Sequence, residues 1–215
     1  MRGIGFIGGE GPGYEQSAIL AKGADLIAAA DSGLLAAEAA GLRPDWIVGD
    51  MDSLGELSRL DRYPPDRVLR YPSDKDYTDT ELLLSLLWEQ GCDELWLLGG
   101  GGGRTDHLLA IQALFEREKS PDRWITAAED IRQVRAGHPL EVAGAQAVSG
   151  GQAPGSLVSV FPLGIGPWEL ESRGLKWPLS GLPWERGFFG LSNVALEGDF
   201  MIRAIRGRFL VVLPR

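Results

Sequence analysis

The stretch ELWLLGGGGGRTDHLLAIQALF, residues 94–115, decides the class of fold. Its first five residues form an apolar run of strand length, stopped by five consecutive glycines. Leu108, Leu109, Ile111, Leu114 and Phe115 then recur at helical spacing. A strand, a glycine turn and a helix make the repeating unit of a parallel sheet, in which each crossover helix covers a sheet face. The same alternation runs back to the start of the chain. Apolar runs at residues 3–7, 25–30, 46–48 and 68–71, and again at 124–127, alternate with helical patterns at 14–22, 34–40, 54–60, 79–89 and 106–118. Thr78 followed by Glu81 reads as a capping box opening the helix at 79. An α/β domain with a parallel sheet is therefore expected over residues 1–130.

Beyond that point helical periodicity disappears. Short runs at 140–142, 157–162, 168–172, 193–196, 200–205 and 209–213 are separated by glycine and proline. Such spacing predicts an all-β sandwich over residues 131–215, with a loop across the Gly-, Ala-, Ser- and Gln-rich residues 143–155.

Composition narrows the function. The net charge of −9, without a basic run, disfavours nucleic acid as a partner. No apolar stretch approaches the ~20 residues of a membrane span, and the first residues lack the pattern of a signal peptide. The single Cys92 has no cysteine partner and reads as a small filler. A cytoplasmic protein is expected.

The polar residues of the first domain fall just after the expected strands. Asp31-Ser32-Gly33 follows the second, Gly49-Asp50-Met51-Asp52-Ser53 the third, and Asp74-Lys75-Asp76-Tyr77-Thr78-Asp79 the fourth. Arg104-Thr105-Asp106-His107 follows the glycine run of the fifth. Strand carboxyl ends share one edge of an open α/β sheet, where ligands bind. Any one of these aspartates alone also serves as a turn or helix cap. The multiples are harder to explain that way, because clustered carboxylates repel unless a cation lies among them. An all-oxygen donor set favours Mg2+, which prefers carboxylates together with substrate phosphates. The glycine run at the start of a helix, with Arg104, suits phosphate oxygens. It matches neither the Walker pattern nor the dinucleotide fingerprint.

These strings, with Lys75-Asp76-Tyr77-Thr78-Asp79-Thr80-Glu81 and Gly102-Gly103-Arg104-Thr105-Asp106-His107 the most specific, resemble the thiamine pyrophosphokinase family. Gly174-Leu175-Lys176-Trp177-Pro178-Leu179 and Leu191-Ser192-Asn193 resemble that family's thiamine-binding β domain. Met51 stands where the family often has Phe, and Ser32 where it often has Gly. The resemblance implies transfer of the β,γ-diphosphate of ATP to the thiamine hydroxyl, giving thiamine diphosphate and AMP. It also implies a homodimer with thiamine bound between subunits.

With that chemistry, Asp50, Asp52 and Asp79 are expected to hold Mg2+, with Asp76 sharing the duty. Lys75 and Arg104 are expected to hold phosphates beside Gly102 and Gly103, and Asp106 to position Arg104 or the metal's waters. Asp31 and Ser32 belong at the nucleotide end, with His107 near the nucleotide or facing its own helix. Trp177, Ser192 and Asn193 are the thiamine candidates, since aromatic faces suit its cation. A diphosphokinase acting on another alcohol, such as a hydroxymethylpterin, is the rival reading, and a non-catalytic nucleotide or thiamine sensor is a second.

Overall fold

A computed structural model describes residues 1–143, 155–197 and 199–215. The loop expected over 143–155 falls, its two end residues apart, outside the described residues. The chain forms two compact units, Met1–Ile111 with Trp124–Ala127, and Gln112–Arg123 with Ala128–Arg215.

The first unit carries strands β1 (Arg2–Phe6), β2 (Leu26–Ala30), β3 (Trp46–Gly49), β4 (Val68–Arg70), β5 (Glu94–Leu98) and β6 (Arg123–Ile125). Their order is β6-β5-β1-β2-β3-β4. β1 pairs in parallel with β2 and β5, β2 with β3, and β3 with β4. Helices α1 (Tyr14–Leu20), α2 (Gly33–Ala39), α3 (Asp79–Glu89) and α4 (Thr105–Glu116) complete the elements; α4 from Gln112 on, and Arg123 at the start of β6, are counted with the second unit. This is the parallel α/β arrangement that the sequence predicts.

β1 shows how its residues set the layers. Ile4 and Phe6 are fully buried and cluster with Leu20 of α1 and with Leu34 and Ala37 of α2. Gly5 faces the other way, and a Cβ there would lie 2.3 Å from Leu83 Cδ2. Only glycine lets α3 lie this close on the strand.

α3 begins with the expected capping box. Glu81 N donates to Thr78 Oγ1 at 3.2 Å, and Thr78 N donates to Glu81 Oε2 at 2.9 Å. Both Asp79 and the first-turn amides depend on this start. Thr78→Ala is expected to lower stability by about 1 kcal/mol, measured by urea unfolding.

Residues 54–60 do not form the helix that the sequence suggests. They fall in two short 3-10 segments, Asp52–Leu54 and Leu57–Arg62, separated by Gly55 at φ 71°. A glycine in the left-handed region interrupts the helical hydrogen bonds before a second turn can form. The segment is held instead by Glu38 of α2, which accepts from Arg59 Nη1 at 2.8 Å and from Tyr63 Oη at 3.2 Å.

The second unit is antiparallel, as expected. Its strands are β7 (Glu129–Arg135), β8 (Leu140–Val142), β9 (Leu157–Leu163), β10 (Glu169–Arg173), β11 (Gly190–Val194), β12 (Phe200–Arg206) and β13 (Arg208–Pro214). One layer runs β11-β9-β13-β7 and the other β10-β12-β8. Val134, Val160, Phe209 and Val211 from the first layer share a core with Leu140, Leu170, Ile202 and Ala204 from the second. β7 is the strand that the sequence reading misses. Its second residue is Asp130, 3% exposed, which accepts two hydrogen bonds from Arg123, each 2.7 Å, and one of 2.7 Å from Arg132 Nη2. Among the described residues no helix is long and apolar enough to cross a membrane.

Candidate functional site

The register of the parallel sheet brings the acids together. Ala30 of β2 lies beside Val48 of β3, so Asp31 leaves the sheet next to Gly49 and Asp50. Asp31 is in the left-handed region at φ 52°, and Met51, 2% exposed, at φ 67°. Such conformations cost on the order of 1–3 kcal/mol and persist where the surroundings enforce them, typically at functional sites. Gly49, at φ 141°, passes so close to α3 that a Cβ would sit 3.1 Å from Asp79 Oδ1. A side chain at 49 would push Asp79 away from Asp50.

The result is a group of three half-buried carboxylates. Asp31, Asp50 and Asp79 each present an oxygen, and these lie within 4.8 Å of one another. Lys75 Nζ approaches Asp50 Oδ2 at 3.4 Å and Asp79 Oδ1 at 3.2 Å. The contact with Asp79 is an ion pair without hydrogen-bond alignment, for Asp79 Oδ1 and Asp31 Oδ1 are buried with no hydrogen-bond partner. Unsatisfied buried carboxylate oxygens facing one point are the donor set of a hard cation, so the residues fit Mg2+.

Electrostatics differ across the group. Burial pushes the Asp31 carboxyl above its ordinary range; a hydrogen bond from Ser53 opposes this, while the charges of Asp79, Asp50 and Asp52 add to it. The backbone N–H of Asp52 holds Asp50 below the ordinary range, and Ser73 and Lys75 help, against the effect of burial. Burial alone would lower Lys75, but its close contacts with the Asp79 and then the Asp50 carboxylates outweigh it and raise its pKa. The environment thus keeps Asp50 ionised and Lys75 charged, and makes the Asp31 anion the one most in need of a cation.

Ser53 is a neighbour that the sequence reading did not single out. Its Oγ donates to Asp31 Oδ2 at 2.7 Å, which orients the carboxylate and leaves Oδ1 buried without a hydrogen-bond partner. Its place in an Asp-x-Asp-Ser string was the available signal, but a serine after an aspartate also reads as a turn. Ser53→Ala is expected to weaken Mg2+ binding by about tenfold, the usual scale for a group that orients a ligand. Calorimetric titration with Mg2+ checks this.

The remaining expected residues are placed as follows. The Asp52 side chain is exposed and outside the three-carboxylate group, though its N–H donates to Asp50 Oδ1 at 3.1 Å. Asp76 is exposed and also outside the group. Arg104 and Asp106 form an exposed two-pronged ion pair at the start of α4. Gly102, Gly103 and His107 lie exposed around it. Ser32 lines a cavity with residues 7–14.

In the second unit, the Asn193 side chain is used on the backbone of Trp177. Oδ1 accepts from Trp177 N at 3.1 Å, and Nδ2 donates to Trp177 O at 2.6 Å. Trp177 keeps 52% of its surface exposed, with Lys176 Nζ 4.4 Å from the ring centre. Ser192 is exposed at φ 57°, where β11 slips register against β9.

Comparison with known proteins places this geometry in a family. A family model described as thiamin pyrophosphokinase, catalytic domain, matches residues 18–125. A thiamine pyrophosphokinase of Bacillus subtilis is 34% identical over 93 residues, which cover 42% of this chain and 43% of that protein. The matched region thus spans under half the length of that relative. Among solved structures, a thiamine pyrophosphokinase from Bacillus subtilis superposes with a TM-score of 0.75 at 22% identity, covering 99% of this chain and 98% of the other. One from Geobacillus thermodenitrificans gives 0.73 at 22% identity, over 100% and 98% of the two chains. Yeast thiamin pyrophosphokinase gives 0.70 at 17% identity, over 100% and 86%. These likenesses support the fold, and the match over residues 18–125, half of the sequence, shows that the chain belongs to the thiamin pyrophosphokinase family.

Proposed function

We propose that this protein transfers the diphosphate of ATP to the hydroxyl of thiamine, giving thiamine diphosphate, AMP and a proton. The observation that carries the reading is the convergence of Asp31, Asp50, Asp79 and Lys75 at the carboxyl edge of a parallel sheet, within the segment that matches the family. Mg2+ held by Asp31, Asp50 and Asp79 would neutralise charge on the triphosphate as the diphosphoryl group moves. Asp52 supports this set through its N–H on Asp50. Lys75 is placed to meet phosphate oxygens at the same point. Arg104, fixed by Asp106 beside Gly102 and Gly103, offers a planar fork to the same kind of ligand. One acid among Asp31, Asp50, Asp52, Asp76 and Asp79 accepts the thiamine proton.

The second unit supplies thiamine contacts. Trp177 offers an exposed aromatic face to the thiazolium cation, Asn193 fixes the Trp177 backbone, and Ser192 offers a hydroxyl on a strained turn. A homodimer is part of the reading, supported by Trp177, Phe189 and Leu191, which are about half exposed along and near edge strand β11. The lone Cys92 suits a reducing, cytoplasmic setting.

The test is product analysis with ATP, Mg2+ and thiamine. AMP and thiamine diphosphate should form in equal amounts, and a hydroxymethylpterin should not replace thiamine. AMP release that thiamine does not stimulate would remove the reading.

A further inference from the structure

Lys75 stands closer to the acids than a phosphate contact requires. Its ammonium lies 3.4 Å from Asp50 Oδ2 and 3.2 Å from Asp79 Oδ1, so it touches two of the three carboxylates that fit Mg2+. The side chain is only 11% exposed, which means that its long stem folds inward to the acids instead of reaching into solvent. We infer that Lys75 is a tethered stand-in for the metal. It pairs Asp50 and Asp79 when no metal does, opposes Mg2+ that arrives alone, and gives way to Mg2+ that arrives with a polyphosphate. The inference rests on the Mg2+ reading above.

Charge sets the order of events. Asp31, Asp50 and Asp79 carry three negative charges when ionised, and Lys75 offsets one of them. A lone Mg2+ must share Asp50 and Asp79 with an ammonium, and like charges a few ångströms apart repel. Asp79 Oδ1 is the focus of the competition. It is buried with no hydrogen-bond partner, and Lys75 is the cation that faces it. A polyphosphate changes the balance, because its oxygens give the ammonium new anionic partners. Lys75 then turns to phosphate, and Mg2+ takes the carboxylates.

The fold separates the fixed partners from the moving one. Asp79 is the first residue of α3, behind the capping box of Thr78 and Glu81, and Asp50 directly follows β3. Gly49 lets α3 approach so closely that Asp79 is held beside this turn. Lys75 belongs to residues 71–78, the link between β4 and α3, outside any helix or strand. The acids are anchored on regular elements, and the competing cation rides on a loop and a long side chain. Such coupling is reciprocal, so metal and polyphosphate bind better together than apart.

The experiment uses the full chain and two calorimetric probes, Mg2+ alone and Mg2+-tripolyphosphate. Lys75→Met should move them in opposite directions. Free Mg2+ should bind about tenfold tighter and the tripolyphosphate complex about tenfold weaker, the scale of one hydrogen-bonded charge contact. Lys75→Gln should do the same. Lys22→Met, at an exposed lysine of the same unit, should change neither probe. A lysine that only holds phosphate would weaken the second probe and leave the first untouched. That result in both Lys75 variants would overturn the inference, and so would equal tightening in Lys22→Met, the mark of net charge alone. Product analysis of the wild type is scored apart. A chain that makes thiamine diphosphate, with free Mg2+ affinity unchanged in the Lys75 variants, keeps the proposed function and loses this inference. Opposite shifts in a chain that makes none leave the stand-in role and remove the function.

Discussion

Asp79→Asn is expected to reduce thiamine-dependent AMP release by at least ~100-fold, because even groups that merely orient a metal ligand are worth ~10–100-fold. The substitution keeps the shape of the side chain and removes one of three anionic oxygens that converge within 4.8 Å. The fold should survive it. Asp79 Oδ1 has no hydrogen-bond partner to lose, and Lys75 keeps Asp50 at 3.4 Å. Loss of a negative charge at the start of α3 costs roughly 0.3–1 kcal/mol, offset by less repulsion from Asp31. Melting should therefore shift by only ~2–4 °C. Turnover near the wild-type level, with a normal melt, would remove Asp79 from the site.

That prediction depends on a convergence only partly visible in the sequence. Asp50 and Asp79 stand out as members of multiples after successive strands, and the strand–glycine–helix stretch at 94–115 identifies the parallel sheet. Asp31 is expected at the nucleotide end and not among the metal ligands, because nothing in a single sequence reveals that Ala30 lies in register with Val48. Register belongs to the sheet, not to either strand. Asp52 shows the converse. It is two residues from Asp50, but the left-handed turn at Met51 sends its side chain out while its N–H turns back to Asp50.

Asn193 illustrates a different loss of information. A Ser-Asn pair in a β region suggests ligand contacts, yet the amide spans both polar groups of the Trp177 peptide sixteen residues earlier. A buried amide must satisfy its donors and acceptors, and the N–H and C=O of Trp177 serve both here. The effect on a ligand then passes through Trp177. The cavity wall at 8–14 escaped notice for a simpler reason. Its glycines present backbone, and backbone carries no residue-type signature.

β7 was hidden by its own charges. EDIRQVR has two apolar residues three apart, which fits neither strict alternation nor a buried run. The strand exists because Arg123 and Arg132 neutralise Asp130 at the centre of the chain's most buried ion-pair network among the described residues. Asp130→Ala is accordingly expected to destabilise the protein by ~3–5 kcal/mol, since it leaves two guanidinium groups without their shared anion. Urea unfolding monitored on the second unit's tryptophans measures this. The pH dependence gives a sharper check. Burial alone would raise the Asp130 pKa, but hydrogen bonds and charge from Arg123 and Arg132 outweigh it and hold the carboxyl below its ordinary range. The unfolded chain, with a carboxyl near ~3.9, therefore takes up the proton first as pH falls. The stabilisation is complete above that value and disappears as pH drops through the lower folded-state pKa. The stability gap between wild type and Asp130→Ala should thus stay level from neutral pH to about 5 and narrow below about 4. A gap that widened in acid would mean that Asp130 is held protonated in the fold, and that the arginines do not govern it.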